Sequence, residues 1–218
     1  MGSRGQPVLR LPQTVVSIGI TGGVAAGKSL VAEAFAELGA GILDADQAVH
    51  EILNWPGVKN EIEQKFGSII LKSDGTVDRT RLAQLCFDSS SGALKARKWL
   101  EGLLHPRVAE LFERQAEQLV AAGKTVIVLD VPLLYEVGWD KSCSVIVFVD
   151  AHPELRKQRA ATRGWSAAEF AQREAAQGSL ELKRQQAHFV VDNNHTPGSV
   201  RDQVAAIWHR LTGKFRSN

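Results

Sequence analysis

The chain has 218 residues, with 26 Lys and Arg against 24 Asp and Glu, a formal net charge of +2. That length buries a substantial core as one α/β domain with lobed insertions, and the near-neutral charge excludes a broad nucleic-acid footprint, leaving only focal recognition of anions. Two cysteines without Cys-x-x-Cys spacing exclude a disulfide framework and a zinc site and point to a reducing, cytoplasmic setting. No stretch reaches the roughly 18 apolar residues that cross a bilayer, so no membrane partner is expected.

Residues 1–13, "MGSRGQPVLRLPQ", lack the apolar run of a signal peptide and are expected to be a frayed extension before one domain over 14–218. Gly2 suits lipidation, but Gln6 stands where Ser or Thr is needed. The continuous β-branched run Val15-Val16-Ser17-Ile18-Gly19-Ile20 reads as a buried strand. A Gly-rich turn follows, then a helix with Leu30, Val31, Ala34, Phe35 and Leu38 at helical spacing. Gly39 and Gly41 bracket its end, and Ile42-Leu43 forms a second strand stopping at Asp44. Helical periodicity then fills an insertion at about 53–120, including "LLHPRVAELF", where His105-Pro106 is either a helix boundary or a functional pair. Three more strands are read in "TVIVLD" (125–130), "SVIVFVD" (144–150) and "FVVD" (189–192). Between the last two, 153–187 is rich in Arg, Ala and Gln, and "SAAE", Ser166 to Glu169, is a capping-box helix start. Thr196 and Pro197 open a final helix running to about Leu211. Five short apolar strands separated by helices imply a parallel sheet covered on both faces, with ligands at the carboxyl edge.

"GGVAAGKS" satisfies G-x-x-x-x-G-K-[ST] between a strand and a helix N-terminus. Backbone N–H groups of Gly22, Gly23, Val24, Ala25, Ala26, Gly27, Lys28, Ser29 and Leu30 are thereby placed to surround the phosphates of a nucleoside triphosphate. Lys28 can reach the outer phosphates and Ser29 can ligate Mg²⁺; the bland alternative is a Gly-rich turn with a surface lysine. Asp130, closing "VIVLD", is either a second Mg²⁺ carboxylate or an ordinary strand-edge aspartate. Asp44 and Asp46 follow the second strand, where a carboxylate can take the proton of an attacking hydroxyl; an acidic helix start explains Asp46 equally well. A metal group of Asp44, Asp46 and His50 is the weaker reading, because Ser29 and the phosphates already offer a Mg²⁺ position. Arg156, Arg159 and Arg163, at i, i+3 and i+7, share one helix face that is either solvated or a lid over transferring phosphate.

From 15 to 211 the chain resembles the dephospho-CoA kinases, through "TGGVAAGKS", "DADQAVH", "DGTVDRTRLAQLCF", "LLHPRV", "DVPLLYE", "RKQRAATR", "AAQGSLELK" and "VVDNN" in that order. The resemblance implies a P-loop kinase-type three-layer α/β fold, with a five-stranded parallel sheet, a helical acceptor-binding insertion and a lid at about 153–187. It implies transfer of the γ-phosphoryl of ATP, with Mg²⁺, to the ribose 3′-hydroxyl of dephospho-CoA. It makes Asp46 the base, Lys28 the phosphate clamp, and Arg159 and Arg163 the lid arginines. It sets Asp192 and Asn193 near the adenine of ATP. His50, His105, Arg107, Leu133, Leu134 and Glu136 fall on the acceptor side, although Leu133 and Leu134 also read as core. The chain departs from the family pattern at Ala25 and Ala26, where Gly and Ser are usual, and at His188 and His195. Another small-acceptor P-loop kinase is the nearest alternative. A guanine-nucleotide switch is opposed by the lack of an Asn-Lys-x-Asp motif, and an inactive scaffold by the survival of every charged group that transfer needs.

Overall fold

The computed structural model describes residues 8–87 and 91–213, so residues 1–7 of the expected extension lie outside it. The described residues form two compact units, one from 8–44 with 113–213 and one from within 45–112.

The first unit is built on a five-stranded, all-parallel sheet in the order β2-β3-β1-β4-β5. Its strands are β1 (Val16–Gly22), β2 (Gly41–Asp44), β3 (Val126–Asp130), β4 (Val145–Asp150) and β5 (Phe189–Asp192). β1 is buried along its whole length, which explains its unbroken apolar sequence. It is also central: the chain leaves it to one side for β2 and β3 and to the other for β4 and β5, a switch point that opens a crevice at the carboxyl edge. The terminal aspartates line that edge in register, Asp44 beside Asp130 and Asp150 beside Asp192.

Helix α1 (Lys28–Glu37) buries Val31, Ala34 and Phe35 against the sheet, and Phe35 is fully enclosed. Burial of each large apolar side chain of this kind contributes about 1.5–3 kcal/mol. The helix stops because Gly39 turns left-handed, with φ of 107°, while the amides of Gly39 and Ala40 return to the carbonyls of Ala36 and Phe35. The last helix, α9 (Pro197–Gly213), adds Val200, Val204 and Ile207 to the same core, and the Ser199 amide bonds the Thr196 hydroxyl that caps it. Between β4 and β5 run α6 (Pro153–Thr162), α7 (Ala167–Ala175) and α8 (Leu180–Gln186). The expected capping box opens α7, with Ser166 and Glu169 bonding each other's backbone amides.

The second unit is helical, with α2 (Ala45–Leu53), α3 (Pro56–Phe66), α4 (Arg79–Phe87) and α5 (Ser91–Ala121), which extends into the first. Ile52, Ile62 and Ile70 are fully buried in it, and Phe66 meets Trp99 edge to face at 5.5 Å. Asp78 starts α4 by accepting from the amides of Thr80 and Arg81. The boundary reading of His105-Pro106 is corrected, since α5 continues through Pro106. Leu103, Leu104, Val108 and Phe112 are buried on both sides of the proline, so packing outweighs the lost backbone bond. Among the described residues no helix is long and apolar enough to cross a membrane.

Candidate active site

β1 delivers the chain into the Gly-rich loop, and α1 begins where the loop ends. Gly27 occupies the cap position with φ of 97° and no side-chain capping bond, which leaves first-turn amides available to an anion. A Cβ there would collide with the Asn193 amide, so glycine is required by space as well as by conformation. Lys28 lies back along its own loop, Nζ donating to the carbonyls of Gly23 at 3.0 Å and Gly22 at 3.3 Å. Burial pulls its pKa from 10.5 down to about 8; Asp130 opposes the shift, and the charges of Lys183, Arg163 and Arg156 add to it. The next side chain, Ser29, donates from Oγ to Asp130 Oδ2 at 3.3 Å. A hydroxyl and a carboxylate so placed are hard oxygen donors of the kind that hold Mg²⁺ together with substrate phosphates, so the residues fit that ion.

Two arginines of α6 bind carbonyls of the loop. Arg156 is buried; it donates to the Val24 carbonyl, pairs with Glu174 at 2.7 Å and lies 5.7 Å from the Phe170 ring centre. Arg159 donates to the carbonyls of Ala26 and Asn193, and burial, then the neighbouring Arg163 charge, lowers its pKa. Arg163 caps α6 and is exposed. Asn193, 2 % exposed, donates to the Ala26 carbonyl at 2.7 Å. Its neighbour Asp192 accepts from the Asn194 backbone and side-chain amides, bonds that lower its pKa. His188 lies at the opposite, amino end of β5, its Nδ1 accepting from the Ile146 amide, while His195 lies 3.6 Å from the Asp192 carboxylate.

Ala25 is the one non-glycine residue with positive φ among those described, at 57°. That backbone costs alanine about 1–2 kcal/mol. Its methyl, however, is buried in a small cluster with Val24, Ala160 and Phe170. Ala25→Gly relieves the strain but gives up about 0.8 kcal/mol of methyl burial and about 0.4–1 kcal/mol of chain entropy. Denaturant titration is therefore expected to show a stability change below about 1 kcal/mol; a gain above about 2 kcal/mol would mean that the methyl contributes nothing.

In the second unit, Asp46 lies in the first turn of α2, two residues after β2 ends, and is exposed. His50, one helical turn further on, lies with Nδ1 3.2 Å from Arg79 Nη1. An arginine only donates, so that ring nitrogen accepts. His105 is half-buried on α5 and burial lowers its pKa. Arg107 is held by Glu61 and by the Leu103 carbonyl, both at 2.7 Å. Of the residues after β3, Leu134 is fully buried, as its core reading had it, and Leu133 is partly exposed. Glu136 is bound to Lys183 and to the Gly178 amide. Arg156 was legible only as a member of a basic face, and Gln177 and Lys183 only as letters of "AAQGSLELK"; hydrophobic periodicity carries no signal for such contacts.

A strand, a glycine-rich loop and a helix N-terminus at the switch point of a parallel sheet, with Lys28, Ser29 and Asp130 beside them, define a P-loop phosphotransferase. A family model described as dephospho-CoA kinase matches residues 16–198, and the chain belongs to that family. A dephospho-CoA kinase of Symbiobacterium thermophilum is 39 % identical over 90 % of this chain and 81 % of its own length. One from Geobacter sulfurreducens is 38 % identical over 88 % of this chain and 96 % of its own. Among solved structures, TT1252 from Thermus thermophilus superposes with a TM-score of 0.76 at 30 % identity, covering 91 % of this chain and 99 % of that one. A dephospho-CoA kinase from Campylobacter jejuni, at 23 % identity, covers 91 % of this chain and 98 % of its own with a TM-score of 0.61 and shares the fold. The activity is that of the family: ATP-dependent phosphorylation of dephospho-CoA, the final step of CoA biosynthesis.

Proposed function

We propose that the phosphoryl group passes to the ribose 3′-hydroxyl of dephospho-CoA, with each charged residue of the loop and lid in a defined role. The observation that carries this reading is the convergence of Lys28, Ser29 and Asp130 at the carboxyl edge of the sheet. First-turn amides of α1 and the Lys28 ammonium bind the β- and γ-phosphates of ATP. Ser29 and Asp130 hold Mg²⁺, which when bound neutralises phosphate charge. Arg159 and Arg163 face the same charge from the lid, while Asn193 holds the Ala26 carbonyl and keeps the loop in shape. Asp192, at the end of β5, lies on the adenine side. Asp46 accepts the proton of the 3′-hydroxyl as its oxygen bonds the γ-phosphorus and the bond to the β-phosphate oxygen breaks, releasing ADP. His50, His105, Arg107, Leu133 and Glu136 belong to the acceptor side. The exposed Asp46 and His50 on one face of α2 support this arrangement, and a cytoplasmic setting suits both substrates.

Product mapping tests it. With labelled ATP and a panel of dephospho-CoA, nucleosides and nucleoside monophosphates, label is expected on the ribose 3′-oxygen of dephospho-CoA. Preferential labelling of a nucleoside or nucleoside monophosphate would overturn the assignment.

A further inference from the structure

Outside the phosphate loop and the arginine face, the turn at Gln177-Gly178 links the loop that holds Lys28 to the Glu136–Lys183 pair. Gln177, in the turn between α7 and α8, donates from Nε2 to the Gly22 carbonyl at 3.3 Å and to the Pro132 carbonyl at 3.4 Å. The Gly22 carbonyl is one of the two that receive the Lys28 ammonium. One residue further on, the Gly178 amide donates to Glu136 Oε1 at 2.7 Å, and the same oxygen takes Lys183 Nζ at 2.6 Å. Lys183 is 4 % exposed, and its charge is near enough to be felt at Lys28.

A buried ammonium–carboxylate pair is weak evidence for stability, because desolvation offsets much of its attraction; its firmest attested use is to set a unique geometry. Here the pair also binds the Gly178 amide, so it fixes the residue next to Gln177. The carboxamide is thereby held across the end of β1 and the start of the segment after β3. A carbonyl has two acceptor positions. On Gly22 one is engaged by a neutral, fixed donor and the other by a charged, flexible one, and only the flexible one can leave.

We propose that Gln177 is a positioning residue for phosphoryl transfer: anchored by the Glu136–Lys183 pair, it keeps a donor on the Gly22 carbonyl while the Lys28 ammonium moves from the loop to the nucleotide phosphates. Gln177 contacts no reacting atom in this scheme; it acts through Gly22 and Lys28. It also makes Glu136 a lid anchor, whatever it contributes to the acceptor side. The inference rests on the assignment of Lys28 as phosphate clamp.

The test is a double-substitution cycle on ATP affinity, measured by calorimetry on the full chain, with steady-state kinetics alongside. Gln177→Leu is expected to weaken ATP binding about tenfold, the scale of one lost hydrogen bond, and to lower kcat, with KM for dephospho-CoA unchanged. In a Lys28→Met background the same substitution is expected to change ATP affinity less than about twofold, because the group it acts through is gone. Glu136→Gln combined with Lys183→Met removes both buried charges together, and it is expected to reproduce the weakening of ATP binding should Gln177→Leu fold poorly. Equal weakening in both backgrounds would overturn the proposal, as would unchanged ATP affinity in Gln177→Leu. Wild-type ATP affinity and turnover in Lys28→Met alone would instead overturn the Lys28 assignment on which it rests.

Discussion

Lys28→Met is expected to lower kcat/KM for ATP by about 10²–10³, the scale of one preorganised charge lost from a transition state, and at the same time to raise the melting temperature at pH 7. The second effect follows from burial, which brings the Lys28 pKa from 10.5 down to about 8. Holding the ammonium charged at neutral pH therefore costs on the order of 3 kcal/mol at each unit's 1.36 kcal/mol. The folded-state pKa lies below the unfolded one, so between about pH 8 and 10.5 the unfolded chain binds more protons and stability rises with pH. Below pH 8 both states are protonated and the full cost is present. Methionine keeps the apolar stem and removes the charge. The carbonyls that Lys28 contacts each keep another donor, Gln177 on Gly22 and the Ala26 amide on Gly23, so little hydrogen bonding is lost. Thermal melts should show the variant ahead of the wild type by several degrees at pH 7, with the gap shrinking toward pH 10. A variant less stable at pH 7 would identify Lys28 as a structural prop of the loop.

This opposition between stability and activity is the general condition of the site. Lys28 and Arg159 are held where their charge is poorly solvated, and the fold supplies hydrogen bonds that keep them there. Arg156 and Arg159 illustrate it from the other side: each guanidinium binds loop carbonyls, so α6 and the loop share one polar network.

The scaffold was legible because its signals are local. An unbroken β-branched run gives a buried strand, and all five strands fall within two residues of their expected ends. Ser166 and Glu169 satisfy each other within one turn, and Gly27 with Lys28 and Ser29 form one contiguous motif. The network behind the loop was not legible, because its bonds join residues far apart in sequence. Asn193 reaches Ala26 across 167 positions and Gln177 reaches Gly22 across 155. Hydrophobic periodicity reports which face is buried, not which carbonyl a buried amide will meet. Pro106 failed in the opposite sense, a strong local signal overridden by the packing of its neighbours. Ala25 was a mixed case, since the strain was foreseeable from the loop and the cluster that compensates it was not.

Asp46→Asn separates the two roles open to that residue. An asparagine caps or begins a helix about as well as an aspartate, and loss of one charge near a helix N-terminus is worth only about 0.3–1 kcal/mol. If Asp46 served only as an acidic start to α2, the variant would therefore fold and turn over almost normally. A general base contributes about 10²–10⁴ to rate, and asparagine cannot accept the proton. Phosphoryl transfer passes through a loose transition state with little bonding to the incoming oxygen, so much of that proton's departure comes late, which argues for the lower part of the range. The expected result is a kcat reduced about 10²-fold or more, with KM for ATP and dephospho-CoA within a few-fold of wild type and a melt lowered by no more than about 4 °C. A reduction below tenfold with substrate binding intact would show that the proton leaves by another route, and Asp46 would revert to a helix-start residue placed by chance at the end of β2.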